Sequence, residues 1–456
     1  VTSPDSIVRT AALVVVAITL VYTGPLVAIG LLFARRADGS LRGQLRLRNG
    51  PPVALPAGWS VFVLIPCLNE ERVIANTVRC LLDLQPGVRM IVIDDGSDDA
   101  TADLAQAAGA GQVTVVHRAL PDARRGKGAA LNAGLRSVRR HVGDEGLDPG
   151  RVLVCVLDAD GRMTPGAVAR VTELFSAPEV GGAQLAVRIR GRGQVALRFQ
   201  DLEFWGLSAI SQFGRTATGS VSMGGNGQFT RLSALDEVGE LPWSDSLTED
   251  LELGLSLAVH GWTVTSTTGA YVSQQGLTDP RRLLRQRTRW HQGHMSAIRR
   301  LPKLWTGSGI RFGARAELTA YLLIPYLITL PWSVVQQYLL LRIVQGQGSG
   351  LFSLAGGGPL WMRGLSGAGW YALSFGGFLV WGLVYWRRTD DLPAWKAVAY
   401  SHAQLLWIYV GFIACWRAVW RILTLRTGWF KTERATEAPL VPPGTAATRS
   451  FTTGTE

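Results

Sequence analysis

Cysteine is scarce in this sequence: four residues in 456, at Cys67, Cys80, Cys155 and Cys415. No two form a C-x-x-C pair, which argues against a disulfide framework or a cysteine zinc site and fits reduced thiols. Histidine is nearly as rare, with six. His291 and His294 make an H-x-x-H, but no Asp, Glu or Cys cluster stands beside them, so they read as a polar helix face and not as metal ligands. Acidic residues are outnumbered, 34 Asp and Glu against 46 Lys and Arg, for a net charge of +12. That balance suits an anionic membrane surface or an anionic substrate. With 47% hydrophobic residues, nucleic acid is not the partner it indicates.

Charge is missing altogether from four stretches, Thr10–Ala34, Leu318–Leu341, Gly364–Trp386 and Ala397–Trp416. Each is long enough to cross a bilayer, for which about twenty apolar residues suffice. The first exceeds a secretory h-region, and "LLFARRADG" offers no small-residue cleavage site, so an anchor is expected and not a removable signal. Arg35, Arg36, Arg42, Arg46 and Arg48 follow the first stretch, and a basic run from Arg281 to Arg300 precedes the second. Both flanks, and the block between them, are therefore expected on the cytoplasmic side of a multi-pass plasma-membrane protein. Counting spans then puts the C-terminal tail outside, whereas Arg417, Arg421, Arg426, Lys431 and Arg434 favour the inside; a re-entrant segment at Gly350–Met362 would reconcile the two.

The expected organisation follows. Residues 1–57 hold the first transmembrane helix (about 10–34) and a basic linker, and 58–278 an α/β domain. Residues 279–312 form an interfacial amphipathic region, 313–421 the remaining transmembrane helices, 422–437 a basic segment, and 438–456 a disordered tail rich in Pro, Thr, Gly and Ala. In the α/β block, apolar strands at Val61–Pro66, Met90–Asp95, Val113–Arg118 and Val152–Asp160 alternate with helical spacing at Glu71–Leu84, in "TADLAQAAGA" and in "GAALNAGLRSV". Such alternation predicts a mostly parallel sheet covered on both faces, with ligands at the carboxyl ends of its strands.

The unusual residues gather at those ends. "DDGSDD", Asp94–Asp99, packs four carboxylates where a turn needs one. "LDAD" places Asp158 and Asp160 two apart, on one face if extended, as a hard divalent cation shared with phosphate oxygens would require. "RRGKGAALNAG", Arg124–Gly134, sets Lys127 among glycines at a helix start, a phosphate-favouring arrangement. In "SLTEDLELGLSLAVHGW", Thr248 reads as an N-cap and Gly261 as a stop, so Glu249 and Asp250 fall in the first turn, where a carboxylate can serve as general base. Each motif alone has a bland reading: a solvated turn, a chance acidic pair, a flexible basic loop, compensation of a helix dipole. Further on, Asp279 and Pro280 open a helix that puts Gln286, Arg289 and Trp290 on one patch at i, i+3 and i+4. Arg281, Arg282, Arg285 and Arg287 on the same helix are expected to meet anionic lipid.

Taken in order, "IPCLNE", "DDGSDD", "RRGKGAALNAG", "LDAD", "GGNG", "TED" and "QRTRW" resemble the inverting, membrane-integrated glycosyltransferases of family 2, the group that includes cellulose, chitin and hyaluronan synthases. The resemblance implies a GT-A-type, Rossmann-like domain. It implies that Pro66, Glu70 and Asp95 surround the nucleoside, taken as uridine, with Lys127 near the nucleotide phosphates. Asp158 and Asp160 would hold Mg2+ or Mn2+ on the diphosphate, and Gly225 and Asn226 of "GGNG" would lie by the donor sugar. Asp250 would be the general base, with Glu249 beside it and toward the acceptor, and Gln286, Arg289 and Trp290 would lie near diphosphate and acceptor. The tail "GWFKTER", Gly428–Arg434, loosely resembles segments that close over the nucleotide in related synthases.

The implied reaction carries a sugar from a UDP-sugar to a growing polysaccharide with inversion, giving β-linkages. The alternative acceptor is a lipid, such as diacylglycerol or a polyprenyl phosphate, glycosylated once. A transporter or scaffold with a dead nucleotide site is disfavoured, because the charge-free stretches hold no Asp or Glu and every acidic motif is intact.

Overall fold

The computed structural model of the chain describes residues 4–38, 51–345, 359–426 and 434–437. The basic linker arginines Arg42, Arg46 and Arg48, most of the Gly350–Met362 segment, the 438–456 tail and all of "GWFKTER" except Arg434 lie outside the described residues.

A long helix α1 (Pro4–Asp38) leads into the α/β block. The block runs β1 (Ser60–Cys67), α2 (Ile74–Leu84), β2 (Arg89–Asp94), α3 (Thr101–Gly109), β3 (Val113–His117), α4 (Lys127–Asp144), β4 (Val152–Val156), β5 (Arg162–Met163), α5 (Ala167–Leu174) and β6 (Val180–Arg190). It continues with α6 (Val195–Asp201), a wide π-turn over Leu202–Ser208, α7 (Ala209–Arg215), β7 (Gln228–Arg231), α8 (Leu232–Val238), α9 (Glu249–Val259) and β8 (Thr263–Gln275). The eight strands form one sheet in the order β3-β2-β1-β4-β7-β6-β8-β5. β3, β2, β1 and β4 are mutually parallel, as the alternating pattern predicts. β7 then enters antiparallel to both β4 and β6, so the sheet is mixed. The reversal is invisible to the pattern because β7 is only four residues long and β6 and β8 are paired across a large sequence gap.

β1 shows why the sheet is buried on both sides. Successive side chains point to opposite faces. Val61, Val63 and Ile65 join one core with Ile74, Val78 and Leu81 of α2. Phe62 and Leu64 join the other with Leu131, Leu135 and Val138 of α4. All four cysteines are free and buried, as the reduced-thiol reading requires.

After β8 come α10 (Pro280–Ser296), α11 (Leu301–Thr306), α12 (Phe312–Ile324), a π-turn over Pro325–Thr329, α13 (Leu330–Val344), α14 (Leu360–Arg387) and α15 (Ala394–Leu423). Among the described residues three helices are long and apolar enough to cross a membrane: Ser6–Arg36, Phe312–Arg342 and Ala394–Leu423. The fourth charge-free stretch, Gly364–Trp386, is helical within α14 but is not among the three. The apolar helices are joined to the α/β block by buried polar contacts. Trp205 Nε1 donates to Arg388 O at 3.0 Å, Arg198 reaches Asp391 at 2.8 Å, and Tyr385 OH donates to Asp201 at 2.7 Å.

α10 starts as its sequence predicts, with the Asp279 carboxylate accepting from Arg282 N at 2.8 Å and Pro280 in the first position. It lies between α9 and α15. On one side Gln292 donates to Arg426 O at 2.7 Å and accepts from Arg421 Nε at 2.6 Å. On the other, a Cβ added at Gly293 would come within 2.5 Å of Thr248 Cγ2. Only a glycine lets α10 approach the head of α9 so closely. Gly293→Val should therefore destabilise the protein by about 1–3 kcal/mol through overpacking. A lower thermal midpoint in detergent, with lost transfer activity, is the expected result; an unchanged midpoint would show that the contact is looser than drawn.

Candidate active site

The carboxyl ends of the parallel strands open into a cavity of about 390 Å3. Pro66, Glu70, Asp95, Lys127, Asp158, Gly225, Asn226, Glu249, Asp250, Gln286, Arg289 and Trp290 all line it. Every candidate site residue except Asp160 thus meets in one place, drawn from seven separate stretches of chain.

Of the four carboxylates in "DDGSDD", only Asp95 reaches the cavity. Asp94 accepts from Ser97 N at 3.0 Å, Asp98 pairs with Arg124 at 2.5 Å, and Asp99 accepts from Thr101 N at 3.0 Å. The repulsion expected of packed acids is avoided because each has its own partner. Asp95 pairs with Arg118; burial pushes its carboxyl upward and Arg118 only partly opposes that.

β4 ends at Val156, so Asp158 and Asp160 do not sit in an extended strand as expected. They lie in a turn closed by Gly161 N donating to Asp158 O at 2.7 Å. The two carboxylates converge nonetheless. Arg434 Nη2 stands 3.2 Å from Asp160 Oδ1 and 3.8 Å from Asp158 Oδ2. Asp160 is fully buried behind Asp158; its Oδ2 accepts from Gln275 N at 2.8 Å, whereas Oδ1 is buried without a hydrogen bond. That oxygen, faced by the Arg434 guanidinium and beside a second carboxylate, suits a hard divalent cation. Among the described residues no group of three or more His, Cys, Asp or Glu side chains could hold a metal ion. Asp158 and Asp160 would therefore hold Mg2+ or Mn2+ only together with phosphate oxygens of the nucleotide, which is how such ions are commonly bound.

Lys127 is the cation at the centre. The left-handed glycine at Gly126, with φ of 107°, turns the chain into α4 and presents Lys127 at its first position. Lys127 Nζ donates to Asp158 Oδ1 at 2.5 Å and to Gly225 O at 2.7 Å. A Cβ at Gly225 would lie 2.7 Å from Lys127 Nζ and 3.3 Å from Asp250 Oδ2, so this loop, the lysine and the candidate base meet at one point. Burial works against the charges of Asp158 and Lys127, but each is overcome by its partners. Lys127 and Arg434 hold the Asp158 carboxyl below its ordinary range, and Asp158 and Glu249 keep the Lys127 ammonium above its own.

Glu249 and Asp250 open α9, as predicted, although the Thr248 side chain makes no capping hydrogen bond. Burial, then the neighbouring Asp250, pushes Glu249 up to about 7. Burial raises Asp250 as well, against the pull of Lys127. Arg289 adds a second positive charge that acts on Asp158, Glu249 and Asp250.

One arginine assignment on α10 is overturned. Arg287 does not meet lipid: it pairs with Glu203 and lies over the rings of Phe204 and Trp290, 5.4 and 4.7 Å from their centroids. Arg281 and Arg285 are exposed, as expected. His291 and His294 are not a polar face either: burial lowers both to about 4, and His294 donates from Nε2 to Tyr321 O at 3.0 Å.

Two features, Gln184 and Gln274, had no signal in the sequence, and a third, Arg434, had only the loose resemblance of "GWFKTER". Gln184 braces the "GGNG" loop, donating to Asn226 O and accepting from Gly224 N, each at 2.8 Å. Gln274 accepts from Asn226 Nδ2 at 2.8 Å. Arg434 lies on Asp158 and Asp160 from more than half the chain away, and Glu437 beside it pairs with Arg162 and with Arg190. Gln184 and Gln274 read as ordinary strand residues; the Arg434 contact is tertiary.

Two expectations follow. The raised acid pair should lose its base form as pH falls through neutrality, not near 4 as a free carboxylate would. The acidic limb of kcat/KM should therefore stand above the usual carboxylate range, and Glu249→Gln, which removes the like charge, should move it to lower pH. A wild-type limb at ordinary carboxylate pH would contradict the pairing. In calorimetric titrations of the protein saturated with UDP, Asp160→Asn should weaken Mn2+ binding by about 10-fold or more. Arg434→Ala should strengthen it, because the guanidinium competes for the same oxygens; weaker binding in Arg434→Ala would show that it does not.

Comparison with known proteins supplies the family. The model described as "Glycosyltransferase like family 2" matches residues 56–293, more than half of the chain. A beta-monoglucosyldiacylglycerol synthase of Synechocystis sp. is 29% identical over 287 residues, covering 59% of this chain and 54% of that protein. The enzyme of the same name from Trichormus variabilis is 30% identical over 279 residues, covering 58% and 53%. The chain thus spans about half the length of these curated relatives. A polyprenol monophosphomannose synthase of Mycolicibacterium smegmatis is 34% identical over 142 residues, 30% of this chain and 48% of that one. Among solved structures, a mannosyltransferase from Pyrobaculum calidifontis in complex with GDP-mannose and Mn2+ superposes with a TM-score of 0.52 at 16% identity, covering 92% of this chain and 99% of that one. The fold is the GT-A glycosyltransferase fold that the motifs imply. This chain belongs to glycosyltransferase family 2.

Proposed function

We propose that the protein transfers one sugar from a nucleotide-sugar donor, taken as a UDP-sugar, to a lipid acceptor at the membrane, with inversion and with Mg2+ or Mn2+. One observation carries the chemistry: Asp250 meets Lys127 and Gly225 in the same cavity as Asp158, Arg289 and Trp290. A base, a diphosphate-binding edge and an aromatic platform then surround one reacting centre. Asp250 takes the proton from the acceptor hydroxyl as its oxygen attacks the anomeric carbon. The bond from that carbon to the diphosphate breaks, and Lys127 and Arg289 face the charge that leaves. A divalent cation held by Asp158 and Asp160 supplies further neutralisation of the diphosphate. A single displacement with one base inverts the anomeric centre, so no carboxylate nucleophile is needed.

The lipid acceptor is favoured over a growing polysaccharide by the relatives, whose names specify a glucosyldiacylglycerol and a polyprenol monophosphomannose product. Three helices long and apolar enough to cross a membrane fit either acceptor. The basic flanks of the first and second charge-free stretches support a cytoplasmic catalytic domain in this reading.

Purified full-length protein, labelled UDP-glucose, UDP-N-acetylglucosamine, UDP-galactose or GDP-mannose, and either metal ion form the test. One discrete glycolipid is the expected product; a ladder of long chains would replace this reading with polymer synthesis. Asp250→Asn should lower transfer by about 100-fold or more while donor binding persists. Undiminished nucleotide release from that variant would remove Asp250 as the base.

A further inference from the structure

The cavity does not end at the donor. Beyond Trp290 it continues along Phe204, Ser208, Gln212, Ser222, His294 and Tyr321. Tyr321 belongs to Phe312–Arg342, one of the helices apolar enough to cross a membrane, so this end is built where the chemistry meets the apolar layer.

Its charge differs from that of the donor end. The donor end holds Lys127, Arg289 and Arg434. At the far end the nearby guanidiniums are already matched. Arg215, stacked 3.9 Å from the centre of the Tyr321 ring, pairs with Glu317 at 2.9 Å and donates to Tyr22 OH at 2.6 Å. Arg287 is paired with Glu203. His294 is half-buried, 4.5 Å from the Tyr321 ring with Nε2 donating to Tyr321 O, and burial lowers its pKa to about 4. Uncharged groups remain. Gln212 spends its amide on the Ser222 backbone, at 3.0 and 2.9 Å. Ser222 Oγ donates to Tyr321 OH at 3.4 Å, which leaves the tyrosine proton free to donate onward. Ser208 is exposed. The rings of Phe204 and Trp290, edge to face at 5.9 Å, supply the apolar wall.

Among the described residues Arg215 and Arg287 beside this end are already paired, so a phosphate there would compete with Glu317 and Glu203 for them, and it would lie toward the carboxylates of Glu249 and Asp250, with Arg289 on the donor side. A neutral hydroxyl head meets hydroxyl partners and pays no such repulsion. We propose that this end is the acceptor-head subsite and that it takes an uncharged lipid alcohol in preference to a lipid phosphate. The inference rests on the lipid-acceptor reading above and adds the chemistry of the head.

The test offers full-length protein, in one detergent and with its best labelled donor, either dioleoylglycerol or a polyprenyl phosphate. Glycosylated dioleoylglycerol with little or no polyprenyl product is the expected outcome. Equal or preferential use of the polyprenyl phosphate overturns the neutral-head inference and leaves the lipid reading intact. Polymer with neither lipid modified overturns both. Tyr321→Phe, which removes one hydroxyl and keeps the ring, should raise the KM for dioleoylglycerol about fivefold and leave the donor KM unchanged. An unchanged acceptor KM in that variant removes the subsite from this end of the cavity.

Discussion

The site depends on one half-buried ammonium. Asp158 and the adjacent pair Glu249 and Asp250 come from two distant parts of the chain and face one cavity, where like charges repel. At an effective dielectric of about 20, two unit charges about 4 Å apart interact by about 4 kcal/mol. That is a large share of a domain's net stability, so three carboxylates would not assemble uncompensated. Lys127 compensates them, bonded to Asp158 and to the Gly225 carbonyl and positioned by the left-handed turn at Gly126. Its charge does not cancel theirs evenly. The Asp158 carboxyl is held below its ordinary range, while burial raises Glu249, to about 7, and Asp250 as well. One cation thereby separates two acidic functions within one cavity.

The second constraint is mechanical. α9 carries the candidate base and α10 the Gln286, Arg289 and Trp290 patch, so the distance between these helices sets the width of the site. Gly293 against Thr248 brings them together. Glu252, on the buried side of α9, is gripped by Arg299 and Arg300 just past the end of α10. From behind, the last apolar helix holds α10 through Gln292, Arg421 and the Arg426 carbonyl. The long apolar helices are thus part of the scaffold that positions the site.

The polar motifs were readable because each breaks a local expectation: four acids in a turn, a lysine among glycines, an acidic pair after an apolar strand. Their partners were not readable, since hydrogen-bond satisfaction is a three-dimensional property. The resemblance singled out Asp95 from the turn; only the fold shows that Asp98 and Asp99 are taken up by Arg124 and Thr101. Arg287 looked like one more membrane-facing arginine until Glu203, Phe204 and Trp290 surrounded it. The antiparallel entry of β7 escaped the period-based reading, because four residues carry too little periodicity to show direction.

By itself, then, the sequence determined the α/β layering, the charge-free helices and the identity and order of the chemical groups, because apolar periodicity and local turn chemistry are written along the chain. Tertiary structure alone decided which carboxylates are spent on structure, that Lys127 sits between those that are not, and that Arg434 returns to Asp158 and Asp160. It also decided that the far end of the cavity is neutral, because Arg215 meets Glu317 there. Those outcomes turn on distances between charges in a low-dielectric interior, and such distances exist only once the chain has folded.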